Sequence, residues 1–144
     1  LPLFLRKRTR ICKGLFSFFL VCILSCAGAE REIGGLLDRR ARALAEKDIV
    51  LYMSCISRDY KEEGHDFEYV RRNVSGYFSS LDGVEVRFSG RKIYLEGSEA
   101  TVYQDVIMRT MAGQVSHKVQ RGRERLYLRH EKDGWKITGG LYGN

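Results

Sequence analysis

The hydrophobic pattern of this 144-residue chain changes period once, at Val84. Before that point apolar residues recur every three or four positions, as on one face of a helix; after it they alternate, as on one face of a strand. A chain ordered in this way builds helices first and an antiparallel sheet second, an α+β arrangement in which the helices cover one sheet face.

The helical half divides into three segments. From Glu30 to Lys47, Ile33, Leu37, Ala41 and Leu44 share a face, with Gly34-Gly35 weakening the first turns. Asp48 is placed to cap a second helix, Ile49 to Ser57, which is apolar nearly all round and is predicted to be deeply buried. A polar connection, Arg58 to His65, leads to Asp66. This residue is placed to cap a third helix with Phe67, Val70, Val74, Tyr77, Phe78 and Leu81 on one stripe. Asp82-Gly83 is read as its end, with Gly83 left-handed.

In the alternating half, Val84, Val86 and Phe88 point one way, Gly90 marks a bulge, and Ile93 and Leu95 resume the inward set. Glu96-Gly97-Ser98-Glu99 turns the chain into a strand, Ala100 to Met111, whose inward set is Ala100, Val102, Gln104, Val106 and Met108. A third strand covers about His117 to Arg129, with Glu124, Leu126 and Leu128 inward. Glu131-Lys132-Asp133-Gly134 turns it into a last strand with Trp135 and Ile137. Three N-terminal helices laid across four long, strongly curved antiparallel strands leave a cone with a pocket at its open end.

Residues 1–29 are of a different kind. Arg6, Lys7, Arg8, Arg10 and Lys13 precede an apolar run, Leu15 to Leu24, and small residues follow, the three-part layout of a secretory signal. Two endings compete. Ile23-Leu24-Ser25-Cys26 is similar to the lipobox of bacterial lipoproteins, which implies lipidation of Cys26. Ala27-Gly28-Ala29 is an A-x-A site that would release a chain starting at Glu30. The expectation is an exported protein of the periplasm or cell envelope, tethered by lipid at Cys26, with one domain over residues 30–144.

Removing the signal changes the bulk properties. The chain has 25 Lys and Arg against 18 Asp and Glu, but residues 30–144 hold 20 against 18, a net charge of +2. The basicity that would suggest nucleic acid therefore largely disappears. Cys12 and Cys22 go with the signal. Cys55 is left alone in the domain as a core residue, with no intradomain disulfide.

Several stretches resemble the nuclear transport factor 2-like superfamily, also called SnoaL-like or cystatin-like. They are Asp48-Ile49 at the start of the second helix, Ser57-Arg58-Asp59-Tyr60 at its exit, Ile93 to Val102 as a hairpin, and Leu126-Tyr127-Leu128 with Asp133 to Ile137 as the closing hairpin. The resemblance covers almost all of residues 30–144 and implies the cone fold. It leaves function open among isomerases, dehydratases, secretion-system scaffolds and exported binding domains.

Isomerases of this fold carry a proton-accepting carboxylate shortly after the second helix, which the resemblance places at Gly64 or Glu63, with Asp66 the next candidate along the same stretch. The plain reading is a solvated loop with Asp66 as a cap. Gln104 and Glu124 alternate inward, and a buried Glu124 requires a partner or a raised pKa. With Tyr52, Tyr60 and Trp135 they are the candidate pocket residues, and Glu124 is the third candidate base. Against this stands a position for Glu124 beyond the core, at the start of its strand.

The opposite sheet face carries Arg87, Tyr103, Asp105, Ile107, Arg109, Arg125, Tyr127 and Arg129, a mixture suited to a homodimer or partner interface or to a solvated face with ion pairs. Lys118, Arg121, Arg123, Arg125 and Arg129 form a basic run that could meet anionic headgroups if the domain is tethered. His65, His117 and His130 lack ligand spacing, so neither metal nor cofactor is expected. The leading expectation is a non-catalytic domain that binds a small ligand or an envelope protein. A pocket isomerase or dehydratase and a secretion-system-like scaffold are the alternatives.

Overall fold

The computed structural model describes residues 15–113 and 116–142, with side chains from Ala27 onward except at 116 and 117. The basic cluster of residues 6–13 lies outside the described residues, as do the side chains of Cys26 and His117. Three helices, α1 (Leu15–Glu46), α2 (Ile49–Ser54) and α3 (Phe67–Ser79), precede a four-stranded antiparallel sheet. Its strands β3 (Gly83–Glu96), β4 (Glu99–Ala112), β5 (Ser116–Glu131) and β6 (Gly134–Gly139) lie in sequence order. Between α2 and α3 is a small hairpin of β1 (Lys61–Glu62) and β2 (His65–Asp66). The architecture is the expected α+β cone.

The core lies between the helices and the inner sheet face. Ile33, Leu37 and Leu44 of α1 and Val70 and Phe78 of α3 meet Ala100, Val102, Leu126, Leu128 and Ile137. Alternation sets the sheet side of this contact, because Val102, Leu126 and Ile137 are fully buried while Tyr103, Tyr127 and Lys136 on neighbouring positions are not. Cys55 is a buried, free thiol, as the apolar run around it implied.

The expected caps are present. Asp48 accepts from Leu51 N at 2.9 Å, and Asp66 accepts from Tyr69 N at 2.8 Å. Each satisfies one of the backbone donors left free at a helix start. The bulge is also where Gly90 marked it, with a register shift between Ser89 and Lys92 and a φ of 63° at Gly90.

Four expectations are corrected. First, α1 begins at Leu15, ahead of the helix read from Glu30, and passes through Gly34 and Gly35 without interruption. Second, α2 ends at Ser54 rather than Ser57. Ile137 N donates to Cys55 O and Ser57 N to Ile137 O, both at 2.9 Å, so β6 captures the backbone that would have continued the helix. Only Tyr52 and Met53 of α2 are buried, and Val50 is 78% exposed.

Third, Arg58 to His65 is not a simple loop, since Glu62 pairs with His65 around the Glu63-Gly64 turn. Fourth, α3 stops at Ser79 and Gly83 opens β3 instead of ending the helix in a left-handed conformation. Gly83 pairs with Met111, and a Cβ there would meet the end methyl of the Met111 side chain, which would have to shift to admit it.

Gly35 and Gly140 have opposite requirements. Gly35 is helical, and a Cβ there would meet nothing within 4 Å. Gly35→Ala is expected to raise stability by about 1 kcal/mol. Gly140 has a φ of 90°, and its Cβ would overlap the Arg125 carbonyl oxygen. Gly140→Ala is expected to cost at least about 1–3 kcal/mol from the backbone strain alone. Chemical denaturation of the two variants checks both signs.

Candidate functional site

Between the helices and the inner sheet face is a cavity of 290 Å³. Leu44, Val74, Val86, Phe88, Val106, Met108 and Leu141 give it apolar walls, and Tyr52, Tyr77 and Tyr142 add phenol groups. Asn73 lies in its wall on the α3 side, and Arg40 and Glu124 supply its charged groups.

Arg40 is the unexpected member. It occupies the apolar stripe of α1, between Leu37 and Leu44, and is only 6% exposed. Its two terminal nitrogens donate to the two Glu124 oxygens at 2.8 and 3.1 Å. Glu124 Oε1 also accepts from Gln104 Nε2 at 2.6 Å, across the β4–β5 pair in which these residues are directly opposed. Arg91 extends the chain outward: its Nε donates to Gln104 Oε1 at 3.0 Å and its Nη2 to Asp38 at 3.1 Å. The Arg40 guanidinium also lies 5.5 Å from the Phe88 ring centre and 5.9 Å from that of Tyr52, within cation–π range.

These contacts settle the charge state of the pair. Burial by itself would push the Glu124 carboxyl up. The Arg40 charge, with hydrogen bonds from Arg40 and Gln104, outweighs burial and holds it below the ordinary carboxylate value of 4.5. Burial would likewise favour a neutral Arg40, but the Tyr52 phenol and Glu124 beside it more than offset that effect. Both groups are ionised, and both Glu124 oxygens are occupied.

A second cluster forms the end wall. Glu62 accepts from the Tyr60 hydroxyl at 2.5 Å and from Tyr142 N at 3.1 Å, and the Tyr60 oxygen accepts from Leu141 N at 3.3 Å. Burial acts to raise the Glu62 carboxyl, but donors from Tyr60 and from residues 140–142 outweigh it and keep it low. Burial, followed by the adjacent Glu62, drives the Tyr60 phenol up, and burial pushes Tyr142 up to about 12. Tyr142 packs against His65 and Tyr69, with ring centres 4.8 and 5.6 Å away. Glu62 thus pins the segment after β6, so that Leu141 and Tyr142 close one side of the cavity.

Of the residues expected in a pocket, Tyr52 and Glu124 line the cavity. Gln104 stands directly behind Glu124, and Tyr60 stands behind the end wall. Trp135 is remote, packed on His130 near Gly28 and Ala29. Glu124 lies inside the core, where its strand alternation aimed it, and not beyond it. Glu63 is exposed in the β1–β2 turn with a φ of 47°, and the Asp66 carboxylate is used as a helix cap; neither lines the cavity.

Arg40, Arg91 and Glu62 were missed. Arg40 alone had a readable signal, a charge on the apolar face of a helix. A wider surface groove of 780 Å³ lies along α2, α3 and the β5–β6 turn. Its lining includes the ion pairs Arg71–Glu68 and Lys136–Asp133. Among the described residues no cluster of three or more metal-ligating side chains occurs.

Removing one partner of a buried ion pair leaves an uncompensated charge. Arg40→Met is expected to destabilise the protein by about 3–5 kcal/mol, with much of the loss recovered in Arg40→Met/Glu124→Leu. The lowered Glu124 pKa adds stability that is present above 4.5 and lost as pH falls through the lower folded-state value. The double variant should lose less stability on acidification than the parent, as measured by urea denaturation across that range.

The sequence matches no protein-family model and no curated protein. Solved structures do match. A proposed aromatic ring hydroxylase from Novosphingobium aromaticivorans aligns with a TM-score of 0.72 at 18% identity, over 81% of this chain and 92% of that one. A proposed dehydratase of the nuclear transport factor 2-like family from Streptomyces avermitilis gives 0.69 at 11%, over 78% and 93%. A nuclear transport factor 2-like superfamily protein from Salmonella enterica serovar Typhimurium gives 0.68 at 15%, over 83% and 95%. Together with the order of three helices and four antiparallel strands, these matches show that the chain has the nuclear transport factor 2-like fold.

Proposed function

We propose that this chain is an exported, membrane-tethered domain that binds a small, mostly apolar molecule in the cavity without transforming it. One observation carries the binding part. Glu124 is the one carboxylate in the cavity wall among the described residues, and Arg40 and Gln104 occupy its oxygens. A general base needs a pKa near the working pH and a lone pair open to the substrate, whereas Glu124 is held low and is committed to three hydrogen bonds from Arg40 and Gln104. The apolar walls and the phenols of Tyr52, Tyr77 and Tyr142 suit a largely apolar ligand with few polar groups. The export and tether parts rest on residues 1–29, with their basic cluster, apolar run and Cys26.

A second reading is a pocket enzyme of the isomerase or dehydratase type. It draws support from Tyr52, whose ring lies 5.9 Å from the Arg40 guanidinium in the same cavity and whose hydroxyl is a hydrogen-bond donor there. The proposed dehydratase and hydroxylase among the structural neighbours point the same way.

Native mass spectrometry of the purified full chain should detect a small-molecule adduct that is absent from Val106→Trp, which fills the cavity. An adduct retained in that variant would place binding elsewhere, and turnover of the bound molecule that depends on Tyr52 would favour the enzyme. For the tether, mass spectrometry of the mature protein is expected to find lipid on Cys26. An unmodified chain beginning at Glu30 would refute it.

A further inference from the structure

The outer sheet face holds charge that the rest of the domain does not balance. Seven cations point outward from β3, β4 and β5: Arg87, Lys92, Arg109, Arg121, Arg123, Arg125 and Arg129. Four acids share the face, and three of them are paired. Glu85 meets Arg109 at 3.9 Å, Asp105 meets Arg123 at 3.0 Å and Glu99 meets Arg129 at 3.8 Å. Arg87, Lys92, Arg121 and Arg125 have no acidic partner within 4.0 Å among the described residues. Residues 30–144 carry 20 basic and 18 acidic side chains in all, so the excess on this one face exceeds that of the whole domain.

Strand register arranges the four. Arg87 and Arg121 flank Ile107, and Lys92 and Arg125 flank Tyr103. With strands about 4.8 Å apart and about 3.3 Å per residue, the free cations mark the corners of a rectangle of about 10 by 13 Å. Two of its sides are centred on Ile107, 37% exposed, and on the Tyr103 ring. One row beyond are Tyr94 and Tyr127, 55% and 40% exposed. They border the sheet end where Gly28 and Ala29 of α1 pass Gly97, Ser98 and His130.

We infer that this face docks on an anionic membrane surface. Cations with amphipathic tyrosines and two apolar side chains, Ile107 and Val119, match the chemistry of a headgroup layer. The proposed tether, on which this step rests, supplies the route there, because Cys26 lies just ahead of Gly28 and Ala29, where α1 passes the Gly97-Ser98 end of the sheet. A second copy is the weaker occupant. An isologous interface sets a patch against itself, and here that would oppose unpaired cations to one another. The inference is independent of what the cavity holds.

The test places a reporter in the centre of the face. Trp135 is buried, so an Ile107→Trp variant reports mainly on the new position. The mature protein, lipidated at Cys26, is incorporated in vesicles of phosphatidylcholine alone or of phosphatidylcholine with phosphatidylserine. On the anionic vesicles, tryptophan emission is expected to shift to the blue and to be quenched by brominated lipid. The docking equilibrium constant should fall about fivefold for each cation removed in Arg87→Gln and Arg121→Gln, and salt should abolish docking.

Tyr127→Trp repeats the measurement if the first variant is poorly folded. Emission unchanged on both vesicles would overturn the inference. So would an equal shift on both, or a shift without lipid that grows with protein concentration, the signature of a dimer formed through this face.

Discussion

The ion pair between Arg40 and Glu124 is the contact on which the rest of the interior depends. It joins the C-terminal part of α1 to the middle of β5, 84 positions apart in the chain. Neither partner is tolerable alone at that depth, because an isolated buried charge is far more costly than a buried apolar side chain. Each therefore specifies the other. Gln104 fixes the second Glu124 contact from the opposing strand, and Arg91 fixes Gln104 in turn. A register slip of one residue between β4 and β5 would turn Glu124 outward and leave Arg40 unpaired, so the network opposes slippage as strongly as the apolar stripe does.

The bulge at Gly90 belongs to this arrangement. Without it, alternation from Phe88 would leave Arg91 on the outer face. The extra residue lets Arg91 reach Gln104 and Asp38, while Lys92 and Tyr94 remain outside. A glycine suits the position because its φ is 63° and a Cβ would lie 3.0 Å from Asp105 Oδ2. A local irregularity in one strand thus supplies a cation to the network that holds the helix above it.

Much of this was legible in the sequence, and the part that was not has a physical reason. Period, caps and turns depend on residues close in the chain, and so Asp48, Asp66, Gly90 and the Glu96–Glu99 turn were placed correctly from local pattern. The end of α2 depends on a distant strand, because β6 captures Cys55 and Ser57, and no local signal records that. Glu124 could be aimed inward by alternation, but its partner is on a helix in the other half of the chain. Arg40 was hidden by assigning the α1 stripe through Ala41, which is only half-buried, when the continuous face runs through residues 33, 37, 40 and 44. The Lys118 to Arg129 run was likewise too coarse: Lys118 pairs with buried Thr110 on the inner-face register, while Arg121, Arg123, Arg125 and Arg129 lie outside.

Arginine therefore plays two different parts in one small domain. Inside, Arg40 is matched to Glu124, so the cavity wall gains rigidity without net charge, and at the edge Arg91 is matched to Asp38. A cavity of that kind gives little advantage to a charged ligand of either sign, because the potential of each ion is largely cancelled by its partner a few ångströms away. Outside, Arg87, Arg121 and Arg125 are left unmatched in water, where single charges carry almost no desolvation cost and can act over about a Debye length. Net charge conceals this division, since a domain of +2 can present a neutral interior and a strongly basic face at once. What the inner face selects by shape and apolar contact, and what the outer face attracts by charge, are consequently separable properties of the two sides of one sheet.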